Sequence, residues 1–129
     1  MIYLSKSKYC GLWQCPKIAW LRENMPDGFE FDQAVQDRMD VGNQVGDLAM
    51  GYFGRFVEIP ANRKANGKLD LDSMIRDTEA EMAKGTPVIC EASYVYNGLF
   101  CSVDILKKDG EGWGIYMVKS SVKLKEDKN

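Results

Sequence analysis

Glu91, Asp104 and Lys119 are the residues of this chain whose types could combine into one reactive site. Two carboxylates and an amine, gathered in space, can hold a hard divalent cation and steady the charge of a phosphate. They lie far apart in sequence, so a scaffold must align them. Asn97-Gly98 supplies it, because both residues accept positive φ in a two-residue hairpin turn. That turn sets Tyr96 opposite Leu99 and carries Glu91 opposite Asp104. A four-residue turn at Asp109–Gly112 sets Lys108 opposite Trp113 and brings Asp104 opposite Met117. Lys119 then falls on the same face, diagonal to Asp104. Facing carboxylates repel unless a proton or cation lies between them. Lys119 or a divalent metal would relieve the conflict. The stretch Val88–Ser121 thus reads as three antiparallel strands, rich in the Val, Ile, Tyr, Phe and Trp that suit a pleated surface.

Composition removes several chemistries. The chain has no histidine, which excludes Ser–His and Cys–His catalysis and His-ligated zinc. Its four cysteines, at 10, 15, 90 and 101, form no CxxC pair. An iron–sulfur cluster needs four gathered thiolates, so none is expected. Cys90 and Cys101 fall in strands and read as small buried hydrophobes. Net charge is −2, so the molecule as a whole does not advertise nucleic-acid binding. Its basic residues are uneven, however: Lys6, Lys8, Lys17 and Arg22 cluster early, and Lys119, Lys123, Lys125 and Lys128 late. Such patches could touch phosphates, and the alternative is solvated surface lysines. No apolar run approaches the roughly 20 residues that span a bilayer. The start MIYLSKSKYC lacks a signal-peptide apolar region, so a cytoplasmic protein without a membrane partner is expected.

The elements that must position the site follow from caps and periodicity. At 129 residues the chain is one domain or part of one. Ser5 or Ser7 caps a helix reaching Gln14, and Pro16 opens a second through Glu23. Met25-Pro26-Asp27-Gly28 is a turn. From Asp32 to Tyr52, apolar residues at 35, 39, 41, 45, 48, 49 and 52 predict a long helix with one buried stripe. Gly42 and Gly46 lie in it, four apart, and mark the close approach of another backbone: a substrate strand, or the sheet itself. Phe56–Ile59 reads as a short strand. Asp70 or Asp72 caps a helix through Lys84 with Leu71, Met74, Ile75 and Met82 inward, closed by Gly85. The expected fold is α+β, or mixed α/β, with N-terminal helices on a small antiparallel sheet. The long glycine-containing helix is expected to cover one face. Val122–Asn129 reads as a charged tail or the start of a further helix.

With these residues in place, the chain resembles the PD-(D/E)XK nuclease superfamily, which has an acid on one hairpin strand and acid-X-Lys on the next. Val103-Asp104-Ile105-Leu106 and Met117-Val118-Lys119-Ser120-Ser121 are similar to its two motif strands. The resemblance lies closest to the RecB-like branch, which includes the CRISPR-associated Cas4-type exonucleases. Leu4-Ser5-Lys6-Ser7 with Cys15-Pro16-Lys17 resembles their N-terminal motif, and Gly42-Asn43-Gln44-Val45-Gly46 resembles their GxxxH-type helix. Glu91-Ala92 resembles the acid before their motif hairpin.

The resemblance implies a restriction-endonuclease-like core that hydrolyses DNA with Mg²⁺ or Mn²⁺. Asp104, Glu91 and the Val118 carbonyl would be the metal ligands, and Lys119 with Asp104 the catalytic pair. Lys6, Lys8, Lys17, Gly42 and Gly46 would meet the nucleic acid. The chain departs from the pattern where Met117 replaces the second carboxylate and Gly46 the histidine. A neutral thioether is a poor ligand for a hard cation, so impaired activity is expected. Cys15 matches one cluster cysteine of the branch, and the others would lie beyond Asn129, as would the later helices. A shortened or altered domain is therefore expected. Three readings stay open: a nuclease, a non-catalytic nucleic-acid- or protein-binding module on the same scaffold, and an ordinary sheet with a solvated charge cluster. An incomplete core also makes a homodimer plausible.

Overall fold

In the computed structural model, which describes residues 3–28 and 32–121, each chain segment forms where its cap residue places it. Strand β1 is Leu4–Ser5, and helix α1 runs Lys6–Gln14 behind the Ser5 cap, whose hydroxyl accepts from Lys8 N at 3.3 Å. Cys15 is extended and Pro16 opens α2, Pro16–Asn24. Asp32 caps α3, Gln33–Met50, by accepting from Val35 N at 2.8 Å. Strand β2 is Val57–Glu58. Asp70 caps α4, Leu71–Lys84, and Gly85 closes it at φ 75°. Strands β3 (Val88–Tyr96), β4 (Leu99–Asp109) and β5 (Gly112–Tyr116) follow.

The β3–β4 hairpin has the register set by Asn97-Gly98: Tyr96 pairs with Leu99 and Val88 with Lys107. β5 pairs with β4 in the register set by its turn, Lys108 against Trp113. This antiparallel core is as expected. Two short parallel strands extend it to a mixed five-stranded sheet: β1 beside the start of β4, and β2 beside the start of β3. These two-residue strands have no pattern long enough to reveal their direction in sequence. The fold is mixed α/β.

The added strands leave a gap. β4 pairs with β1 at Leu99–Phe100 and with β5 from Ile105 onward, so among the described residues no strand lies on the outer edge of 101–104. β2 leaves β3 after Cys90, apart from one bond from Ile59 N to Cys90 O. Between these levels the sheet narrows to the bare hairpin.

Helix α4 covers the face made by Ile59, Ile89, Ala92, Val103 and Leu106, and contributes Met74. It also closes an edge. Thr78 Oγ1 donates to Met74 O at 2.9 Å and accepts from Ser93 N at 2.9 Å, capping β3 where β2 has ended. The opposite face is a smaller cluster of Met50, Val88, Cys90 and Ile105. Helix α3 reaches that cluster only through its last residues, Ala49 and Met50. The expectation that α3 lays a buried stripe across the sheet is therefore corrected. Met39, Val41, Leu48 and Tyr52 of that stripe are exposed, Leu48 by 82% and Tyr52 by 79%. Tyr52 meets the Phe53 ring edge-on at 5.0 Å, and none of the four joins either core cluster of the described residues. Cys101 is likewise exposed rather than buried, whereas Cys90 is buried as expected. Residues 122–129, expected as a charged tail or helix start, lie outside the described residues. Among the described residues no helix is long and apolar enough to cross a membrane.

The Thr78 bridge gives a direct test of this packing. Thr78→Val keeps the volume but leaves a buried Ser93 N–H without its acceptor. The substitution is expected to cost about 1–3 kcal/mol, read as a lower midpoint in urea unfolding; an unchanged midpoint would contradict the bridge.

Candidate functional site

The narrowing of the sheet is where Glu91 and Asp104 face each other. Cys90 pairs with Ile105 and Ala92 with Val103, so the register runs straight through this level. Glu91 and Asp104 themselves form no ladder pair, because Glu91 adopts φ 56°. That left-handed backbone costs a non-glycine residue about 1–2 kcal/mol. It also breaks the alternation of faces. Ile89 and Ala92 share one core cluster although three residues apart, as do Val103 and Leu106. The pleat skips a step on both strands at Glu91 and Asp104.

Both carboxylates line one cleft of about 240 Å³. Its other walls are Gly42, Asn43, Gly46, Asp47 and Met50 of α3, with Ile105 and Val118. The glycines that sequence placed near a substrate or the sheet are thus cleft walls. A Cβ on Gly46 would meet no atom within 4 Å, so tight packing does not explain that glycine. A Cβ on Gly42 would lie 3.6 Å from Ser120 Oγ, where α3 passes the chain leaving β5.

The two carboxylates are held by different donors. Asp104 Oδ2 accepts from Val118 N at 2.6 Å, and Glu91 Oε2 accepts from Ser102 Oγ at 3.0 Å. Burial raises the Glu91 pKa above the ordinary glutamate range, and the charges of Asp104, Glu58 and Asp47 raise it further. The Ser102 hydroxyl works in the other direction. The same burial, with Glu91 and Glu58, pushes the Cys90 thiol up to about 11, so it stays protonated and offers no thiolate to the cleft.

Lys119 does not relieve the carboxylate conflict. It makes no ion pair or hydrogen bond with any described residue, and it lines an adjoining hollow with Asp37, Arg38, Val41 and Val45. Met117 lies one residue past the end of β5 and is 58% exposed, so the expected Asp104–Met117 pair does not form. Lys6, Lys8 and Lys17 sit on α1 and α2, outside the cleft, and Lys8 pairs with Glu23.

Glu91 and Asp104 are hard oxygen donors, the type that Mg²⁺ and Mn²⁺ prefer. Among the described residues no group of three His, Cys, Asp or Glu could close a protein cage around an ion. Two carboxylates alone would leave most of the coordination of a hard cation to water and phosphate oxygens, a donor chemistry that Mg²⁺ accepts. Sequence reading missed Asp47, Asn43 and Ser102. Asn43, Gly46, Asp47 and Met50 recur at helical spacing, which marks one face of α3. Ser102 stands two residues before Asp104 on its strand.

The chain matches no protein-family model, no curated protein and no solved structure.

Two substitutions test the cleft as built. The raised Glu91 pKa means that stability is greatest below its unfolded pKa and is lost as pH rises through the folded value. Glu91→Gln is therefore expected to melt higher than the parent at neutral pH. The gap should close as pH falls below the ordinary glutamate range, and a lower melting point at neutral pH would contradict the burial of a charged Glu91. Gly46→Ala adds a methyl to open space inside a helix, and is expected to raise unfolding stability by up to about 1 kcal/mol.

Proposed function

We propose that this chain is a nuclease-like domain of the PD-(D/E)XK, RecB-like kind, acting in the cytoplasm on DNA phosphodiester bonds with Mg²⁺ or Mn²⁺. Its hydrolysis is slow because the second motif carboxylate is Met117. The observation that carries this reading is the meeting of Glu91 and Asp104 in one cleft, at the level where the hairpin loses its outer strands. A protein that needed only a stable sheet gains nothing from opposed carboxylates and a left-handed glutamate there.

In this reading Asp104 and Glu91 hold the cation, with the Val118 carbonyl as the third protein oxygen. A cation held there would supply Lewis-acid polarisation of the phosphate and a more acidic bound water. Val118 N–H aims the Asp104 carboxylate, and the Ser102 hydroxyl aims that of Glu91. Gly46 leaves room on the α3 side for the substrate backbone. Two features hold the rate down: no carboxylate stands at 117, and Lys119 lines the neighbouring hollow instead of the cleft. The same two features support the second reading, a nucleic-acid- or protein-binding module that keeps the scaffold without the turnover.

Met117 is exposed, so a carboxylate can be restored there without disturbing the core. Met117→Glu is expected to raise Mn²⁺ affinity roughly 10- to 100-fold, the size of effect seen for changes around metal sites. It should also bring Mn²⁺-dependent cleavage of a labelled oligodeoxynucleotide that Asp104→Asn abolishes. Calorimetry showing the same Mn²⁺ affinity in Asp104→Asn and the parent would overturn the site assignment, whereas Mn²⁺ binding that depends on Asp104 without any cleavage would favour the binding module.

A further inference from the structure

Helix α3 presents two adjacent stripes to the chain that leaves β5. Gly42, Gly46 and Met50, spaced by four, face the acidic cleft. Arg38, Val41 and Val45, spaced by three and four, face a second hollow of about 610 Å³ whose other wall is Lys119–Ser121. The segment Val118–Ser120 separates the two, with Val118 in the cleft wall and Ser120 passing close to Gly42.

The second hollow has the opposite chemistry to the first. Arg38 and Lys119 bring two cations and Ser120 a hydroxyl, against one carboxylate, Asp37. Asp37 is engaged elsewhere, accepting from Gln33 Nε2 at 2.7 Å. Arg38 Nε donates to Ala34 O at 3.1 Å, which anchors the guanidinium at its root. Its terminal nitrogens have no partner among the described residues, and neither has the Lys119 amine. Planar guanidinium and ammonium donors beside a hydroxyl suit a phosphodiester oxygen. Val41 and Val45 give the sugar an apolar floor.

We propose that Arg38, Lys119 and Ser120 form a phosphate seat that takes the DNA backbone phosphate next to the one held at Glu91 and Asp104. This rests on the nuclease-like reading above and assigns Lys119 to substrate positioning, with Arg38 as its partner. A strand laid along α3 then crosses from an anion-binding hollow to a cation-binding cleft over a single peptide segment.

The test is anisotropy of a short fluorescein-labelled single-stranded oligodeoxynucleotide, titrated with salt in the presence of Ca²⁺, alongside Mn²⁺ calorimetry without DNA. Arg38→Gln and Lys119→Gln are each expected to weaken DNA binding several-fold and to lower the salt slope by about 0.7, the release of one contact. Arg38→Lys should keep most of the slope, and Mn²⁺ affinity should be unchanged in all three. Unchanged slopes in both glutamine variants, with Mn²⁺ binding intact, overturn the phosphate seat alone. Reduced slopes in a protein that binds no Mn²⁺ support the seat and overturn the metal reading. A parent protein that binds no DNA overturns the seat and the DNA-directed function, and leaves the metal reading to the Mn²⁺ calorimetry.

Discussion

Two carboxylates facing each other across a hairpin are the constraint around which this protein is arranged. The register leaves Glu91 no position except opposite Asp104. At that level neither strand has a regular outer neighbour among the described residues, so the pair is not sealed into a sheet. The repulsion is handled by separate donors, Ser102 for one acid and Val118 N–H for the other, and by a left-handed turn at Glu91 that takes the pair out of the ladder. What remains is an acidic cleft with a raised Glu91 pKa, which a hard cation would return toward the ordinary range.

The rest of the fold supplies rigidity on one side and access on the other. Helix α4 packs the larger core cluster and caps the open edge of β3 through Thr78, so the hairpin is fixed from behind. Helix α3 touches the sheet only near its C-terminus and uses the rest of its length as a wall, with glycines where a side chain would narrow the opening. Its exposed Val41 and Leu48 are the consequence of that placement. Helix α3 thus frames the opening, while the buried contacts of α4 carry most of the packing.

Much of this was legible from local chemistry. Asn97-Gly98 and the Asp109–Gly112 turn set both ladders, because a hairpin turn of known length leaves one register. Ser5 (read alongside Ser7), Pro16, Asp70 (read alongside Asp72) and Gly85 marked helix ends, because caps act within a few residues, whereas the Asp32 cap of α3 was not read. What was not legible depends on tertiary placement. The stripe on α3 has helical spacing whether or not something covers it, and periodicity alone does not say which face finds a partner. β1 and β2 are too short to carry a pattern, and Glu91 gives no local hint of positive φ. Lys119 was placed beside Asp104 by extending the β5 alternation, but the ladder ends at Tyr116 and the chain turns toward α3. That Glu91 and Asp104 share one cleft was readable from the register; that the Val118 N–H binds Asp104 and that Lys119 leaves them were not.

The central claim is that a hard divalent cation binds between Glu91 and Asp104. Paramagnetic broadening reads this most directly: substoichiometric Mn²⁺ is added to isotope-labelled protein and the amide signals are followed residue by residue. The account predicts that Glu91, Asp104, Val118 and Gly46 broaden first, and that excess Mg²⁺ restores them. Broadening that begins at an exposed carboxylate away from the cleft, such as Glu79 of α4, or none at all, would contradict it.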